Sequence, residues 1–293
     1  VITNIEEDHL DIYDGLDDIQ DAFTQCANSV PFFGAAILCL DDPNVQAIVG
    51  RIERRVLTYG TTRQAEVRAI NIRRDGLKTH FDVQFRGDAL GTVTLNVPGM
   101  HNVRNALAAV AVGVELDVPF EHIRDGLAAY DGVRRRFQQI GDVAGRVVLD
   151  DYAHHPTEIE ATLDAASQGF SDRRIVAVFQ PHLYSRTRDF QDGFARAFFN
   201  ADVLVVTDVY KAREAPIEGV SGEEIARRAQ NYGHRSVHYV PEKEQLPDEL
   251  AEITAEGDVV LMMGAGDIWR YSRDFVDRLT DLEPALSNSD ASA

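Results

Sequence analysis

Lysine is almost missing from this chain of 293 residues: only Lys78, Lys211 and Lys243 occur, and the other 26 of its 29 basic residues are arginines. Against 48 acidic residues this leaves a formal net charge of -19. Nucleic-acid binding wants a basic footprint, so the composition argues against it. Such self-repulsion favours solubility and would be screened in a salty cytoplasm. Cysteine is scarce too, and Cys26 and Cys39 alone make neither a disulfide framework nor a metal-binding set. No apolar run approaches the roughly 18 residues of a membrane-spanning helix and no signal peptide opens the chain, so the expected compartment is the cytosol, with no membrane partner. An initiating methionine is lacking. Val1-Ile2-Thr3-Asn4 reads as the end of a strand, which predicts a piece of a longer polypeptide. Also lacking is Gly-x-x-x-x-Gly-Lys-Ser/Thr, so an ATP phosphate loop would have to lie elsewhere.

What is present is enough sequence for two domains. The first region, residues 1–133, mixes patterns. An apolar strand at 35–40 is stopped by Asp41-Asp42-Pro43, and alternation from 67 to 97 around Asp75-Gly76 and Arg86-Gly87-Asp88 predicts antiparallel strands. An Ala-rich helix is expected at 102–116 and a shorter one at 121–130. In residues 134–293 strands at 147–149, 175–179, 203–206, 237–240 and 259–263 alternate with helical stretches at 157–166, 189–199, 221–230 and 242–253. That alternation predicts an α/β fold with a Rossmann-like parallel sheet. Residues 283–293 have a disordered composition.

The chemistry clusters at predicted strand ends. Asp151-Tyr152-Ala153-His154-His155-Pro156-Thr157 delivers an acid, a phenol and two imidazoles just after the strand at 147–149, with Pro156 suited to begin a helix. Gln180-Pro181-His182-Leu183-Tyr184-Ser185-Arg186 and Gly264-Ala265-Gly266-Asp267 follow two other strands; the latter lacks the third glycine of a dinucleotide fingerprint. Arg134-Arg135-Arg136 at the seam suits anionic oxygens. Asn102 and Asn105 share a helical face and are able to read an adenine edge, although a plain N-cap explains Asn102 equally well. His9 stands among Glu6, Glu7, Asp8 and Asp11, an arrangement open to a divalent cation or to a capped helix start.

Seven segments in this order, TNIEEDHLD, PGMHNVRNALAA, GVRRRF, DDYAHHPTE, FQPHLYSRTRDF, DVYKAREAPIEGV and GAGDI, resemble the Mur ligases of peptidoglycan synthesis from Thr3 to about Trp269. The resemblance implies the later part of a central ATP-binding domain with a mixed sheet, then a complete Rossmann-like third domain. It implies that ATP phosphorylates the lactyl carboxylate of UDP-N-acetylmuramate and that L-alanine attacks the acyl phosphate, with magnesium required. Absent the family's phosphate loop and a first metal-binding carboxylate, the chain by itself is expected to fold without turning over. By the same resemblance His9 is a magnesium ligand, Asn102 and Asn105 lie beside adenine, and Arg136 and Asp151 serve the nucleotide, the latter by accepting from ribose hydroxyls. Tyr152, His154, His182 and Arg186 line the amino-acid and acyl end, with Arg186 the partner of the alanine carboxylate. Leu183 stands where some members carry a second arginine, leaving either Arg188 or Arg186 alone for that clamp. The alternatives are a tripeptide-recycling ligase of the same family and a non-catalytic nucleotide-binding module.

Overall fold

A computed structural model describes residues 1–10 and 12–289, and divides the chain into two units, Val1–Asp131 and Gly132–Ala293. The division falls two residues before the seam expected from the sequence.

The first unit runs α1 (Leu16–Asn28), β1 (Ala36–Cys39), α2 (Pro43–Val49), β2 (Val56–Gly60), β3 (Val67–Asp75), β4 (Lys78–Phe85), β5 (Asp88–Leu95), α3 (Met100–Glu115) and α4 (Phe120–Ala128). Its sheet, in the order β1-β2-β3-β4-β5, is parallel through β3 and antiparallel beyond. The predicted strand end at the start of the chain is a single parallel bridge, Ile2 to Leu38. α3 lays Val103, Leu107, Val110 and Ala111 on one face of the sheet, while Ile19, Val45 and Ile48 from α1 and α2 pack with Leu38 in a separate cluster. α3 begins at Met100 because Gly99, at φ 98°, makes the turn that a side chain would strain. Asn102 is therefore inside the first turn and is not the N-cap. Its amide donates to the Pro98 carbonyl at 2.6 Å.

The second unit contains β6 (Gln138–Val143), β7 (Arg146–Asp151), α5 (Pro156–Gly169), β8 (Ile175–Phe179), α6 (Tyr184–Asp189), α7 (Gln191–Arg196), β9 (Val203–Val206), α8 (Gly222–Asn231), β10 (Val237–Tyr239), α9 (Leu246–Ile253), preceded by one 3₁₀ turn, β11 (Val259–Met263) and α10 (Ile268–Ser289). The order is β10-β9-β8-β11-β7-β6. Five strands are parallel as the sequence predicts; β6 adds an antiparallel edge, so the sheet is mixed. Period-two alternation buries both faces. Leu149, Ala177, Phe179, Leu204 and Leu261 face Leu163, Phe194 and Ile225, whereas Val148, Val176, Val205 and Val260 face Leu250, Phe275 and Leu279. The helix expected at 189–199 is two short ones, interrupted at Phe190. α10 continues through Ser289, so residues 283–289 are helical rather than disordered: a helix already nucleated around Ile268, Phe275 and Leu279 adds one backbone bond per further residue. Residues 290–293 lie outside the described ones. No helix among the described residues is long and apolar enough to cross a membrane.

Candidate functional site

β7 and β8 are consecutive in the chain yet β11 lies between them, which makes their carboxyl ends a topological switch point and the place where an open α/β sheet takes ligands. The loops after β7, β8, β9 and β11 bring together most of the side chains singled out from the sequence, and they divide the work differently from expectation.

Of the acid and imidazoles after β7, His155 is the cap: its Nδ1 accepts from Thr157 N–H, and Pro156 opens α5. Asp151 is buried, and its two oxygens accept the Phe137 and Ala153 amides, each at 2.8 Å. Burial lifts this carboxyl to about 6 despite both amides. Its place is thus a tie between β7 and the incoming segment. Tyr152 and His154 remain for chemistry. His154 Nδ1 lies 2.9 Å from the Tyr152 carbonyl and 3.1 Å from Glu158 Oε2; both are acceptors, so Nδ1 carries the proton and Nε2 is the nitrogen left for a ligand. Burial works against charge on Glu158, but its bonds from His154 and the nearby Arg136 prevail and hold it down to about 2.

The arginine run is likewise split. Arg136 is exposed, 3.3 Å from Glu158, and its guanidinium lies 5.5 Å from the Tyr152 ring centre. Arg135 is structural: it stacks on the other guanidinium's partner, Tyr152, at 4.7 Å, donates to the Gly264 carbonyl at 2.6 Å, and pairs at 3.4 Å with Asp150, whose carboxyl burial pushes up.

Across the switch point, His182 stacks on Tyr210 with ring centres 5.7 Å apart and stands 6.5 Å from the His154 ring. Burial, then the charges of Arg186 and His154, lower the His182 imidazole to about 4. Behind Tyr210 sits Lys243, 5.4 Å from the ring centre, bonded to Asp267 at 2.6 Å; Asp267 also accepts from the buried Gln180 at 2.9 Å. Tyr210 and Lys243 were not singled out. Tyr210 lies within DVYKAREAPIEGV, but nothing in sequence spacing places Lys243 beside it. Arg186 is half-buried on α6, whereas Arg188 is exposed and pairs with Asp189 at 2.7 Å.

The His182 position sets a sign for acid stability. A histidine lowered from 6.5 to about 4 stabilises the fold fully above 6.5 and loses that contribution as pH falls through 4. Glu158, lowered from 4.5, loses its own contribution only towards 2, and Asp151, raised from 3.8 to about 6, acts in the opposite sense between those values. We expect His182→Asn to make the protein less sensitive to acid between pH 6.5 and 4, read as the urea midpoint at each pH; an unchanged slope would refute the assignment.

In the first unit Asn105 is exposed, and Asn102 keeps its side-chain oxygen available while its amide is spent on Pro98. Beside them Asp41, with a side chain only 7% exposed, accepts from Thr61 N and Oγ1 and Thr62 N and pairs with Arg104 on α3. The sequence marked Asp41 only as a strand stop. His9 is exposed with φ 54°, and its amide donates to Asp8. Asp11 lies outside the described residues, and among those described no three His, Cys, Asp or Glu side chains converge on a cation position. Among the described residues His9 is therefore not part of a closed cage of protein ligands.

Comparison with known proteins accords with this arrangement. Residues 1–113 match the profile of the Mur ligase middle domain, and residues 135–266 that of the Mur ligase, glutamate ligase domain. The UDP-N-acetylmuramate--L-alanine ligase of Salinibacter ruber is 71% identical over 279 residues, covering 95% of this chain and 59% of that protein. The Geobacter sulfurreducens protein of the same name is 48% identical over 97% of this chain and 62% of its own. Among solved structures, the UDP-N-acetylmuramate-alanine ligase of Thermotoga maritima superposes with a TM-score of 0.77 at 28% identity, over 96% of this chain and 59% of that one. A murein peptide ligase of Psychrobacter arcticus gives 0.65 at 26% identity, over 95% and 57%. The chain thus spans about 60% of the length of the relatives it matches.

Proposed function

The chain belongs to the Mur ligase family, and from that premise we propose that the protein it is part of joins L-alanine to UDP-N-acetylmuramate at the expense of ATP, in the cytoplasm, as a step of peptidoglycan precursor synthesis. The observation that carries the reading is the convergence at one switch point of Tyr152, His154, His182 and the α6 arginine, in a chain 71% identical to a protein so named.

The chemistry asks for two steps. The sugar's carboxylate oxygen attacks the γ-phosphorus of ATP and ADP leaves; the alanine amine then attacks the acyl carbon, and phosphate departs with its oxygen. Both steps gather negative charge, which preorganised cations and N–H donors stabilise. In this reading Arg186 holds the alanine carboxylate through paired N–H donors. His154, its Nδ1 fixed by Tyr152 and Glu158, presents Nε2 towards the acyl end, and a neutral His182 walls the same side. Arg136 reaches anionic oxygens of the nucleotide from the rim. Asn105, with the Asn102 side-chain oxygen, reads the adenine edge. Asp151 positions the Tyr152 loop. Magnesium, where bound, would neutralise phosphate charge as a Lewis acid, with His9 supplying one ligand and phosphate oxygens and water the rest.

The test is product formation by the protein at the length of its relatives, offered alanine, glycine, serine and the tripeptide in parallel. UDP-N-acetylmuramoyl-L-alanine, ADP and phosphate are expected in equal amounts from alanine. Preference for the tripeptide would establish the recycling ligase instead, and nucleotide binding without any product would establish the non-catalytic module.

A further inference from the structure

Of the two arginines of α6, Arg186 is half-buried and Arg188 exposed beside Asp189, and a further guanidinium comes from another loop. The segment after β9 lies alongside the segment after β8 as a zipper. Tyr210 N–H donates to the Pro181 carbonyl at 2.8 Å, Leu183 N–H donates to the Tyr210 carbonyl at 3.0 Å, and residues 182 and 210 form a parallel bridge. Four residues on, the Glu214 carboxylate accepts Ser185 N–H at 2.9 Å and Ser185 Oγ–H at 2.6 Å. Between these anchors the chain makes one tight turn, closed by Glu214 N–H donating to the Lys211 carbonyl at 2.8 Å, with Ala212 at φ 47°. Arg213 is at the tip of that turn, exposed, next to the residue that grips Ser185, which itself precedes Arg186.

The charges acting on the His182 ring are those of Arg186, His154, Glu214 and Arg213. Glu214 holds Ser185 in place, so the turn sets Arg213 next to the residue that anchors the segment of Arg186, and two guanidiniums are brought to one side of the His182 ring on a protein of net charge -19. Paired guanidiniums suit a small anion.

We propose that Arg213 is the second guanidinium of the carboxylate subsite, closing with Arg186 on the carboxylate of the incoming amino acid. The inference rests on the amide-ligase reading and adds to it the residue that makes a free carboxylate a requirement. Because the turn is pinned at both ends, Arg213 loses little freedom when it engages, and a planar fork gives two parallel bonds that a lysine does not.

The experiment compares wild type, Arg213→Ala and Arg213→Lys at the length of the relatives, with alanine and with alaninamide, whose carboxylate is neutralised. Arg213→Ala should raise KM for alanine about tenfold or more, leave KM for ATP within about twofold, and narrow the wild-type preference for alanine over alaninamide. Arg213→Lys should fall between. A merely structural role would move alanine, alaninamide and ATP together, and that result overturns the proposal. So does an Arg213→Ala enzyme with unchanged KM for alanine, or one in which only ATP is affected, since the cation would then serve the phosphoryl group. Wild type that uses a different amino acid refutes the alanine reading alone; the same ratio, measured with that amino acid and its amide, still decides on Arg213.

Discussion

Arg135→Ala is expected to destabilise the second unit by about 3–5 kcal/mol, the usual cost of removing one partner of a buried ion pair. Asp150 is 1% exposed, and the Arg135 guanidinium is the nearer of the two charges, with Arg273, that offset its burial. The same guanidinium ties the end of β7 to the Gly264 carbonyl at the end of β11 and stacks on Tyr152. Its loss thus frees two of the loops that build the switch point as well as stranding a carboxylate. Burial already raises the carboxyl of Asp150 above its ordinary value, and without Arg135 it would take up a proton more readily still, so the loss should shrink as pH falls. Trp269, the sole tryptophan, lies in α10 of the same unit and reports its unfolding by fluorescence in urea. Replacing both partners, Arg135→Met with Asp150→Leu, should recover most of the stability, since a pair exchanged for apolar groups of similar size is often neutral. A loss under about 1 kcal/mol in Arg135→Ala would show that Arg273 and solvent suffice for Asp150 and that the pair has no structural weight.

The parallel core was legible because four of its five strands, all but the edge strand β10, carry short apolar runs buried on both faces, and such runs leave an unmistakable trace between polar helices. β6 left none. Gln138-Gln139-Ile140-Gly141-Asp142-Val143 has two apolar side chains and a glycine, and it is a strand because it pairs with β7 at an edge, where pairing rather than composition decides. The break at Phe190 goes with the packing of Phe190 against His155, a contact distant in sequence. At the site, four of the motifs follow β7, β8, β9 and β11 and so share the carboxyl edge of one sheet. Roles within a motif were another matter. Asp150 and Asp151, or Arg135 and Arg136, are interchangeable in a string of letters. Alternation in β7 and the fold of the loop bury the Asp151 carboxyl on backbone amides and the Arg135 guanidinium on Asp150, leaving Arg136 and Tyr152 at the surface.

Gly266→Ala should cost about a hundredfold in kcat/KM for the amine while KM for ATP changes within about twofold, the scale expected when a reacting geometry is displaced by about 1 Å. A methyl at residue 266 would stand 2.3 Å from Gln180 Oε1 and 2.8 Å from Tyr210 Cγ. Gln180 cannot give way. It is 1% exposed, its Nε2 donates to Asp267 at 2.9 Å, and its Oε1 accepts Ile268 N–H at 3.2 Å. Tyr210 is therefore the group that moves: its backbone is bonded to Pro181 and Leu183, and its ring is held by stacking, with His182 on one side and the Lys243 ammonium, 5.4 Å away, on the other. Its displacement shifts His182, which walls the acyl side in the proposed function, and the turn that carries Arg213, while the asparagines at the start of α3 belong to the other unit. The matched control is Gly126→Ala in α4, where nothing lies within 4 Å of the added methyl and the better helix former should leave activity unchanged and stability equal or higher. Activity of Gly266→Ala within about threefold of wild type would mean that Tyr210 yields without disturbing His182, and that the wall of aromatic rings does not set the amine's position.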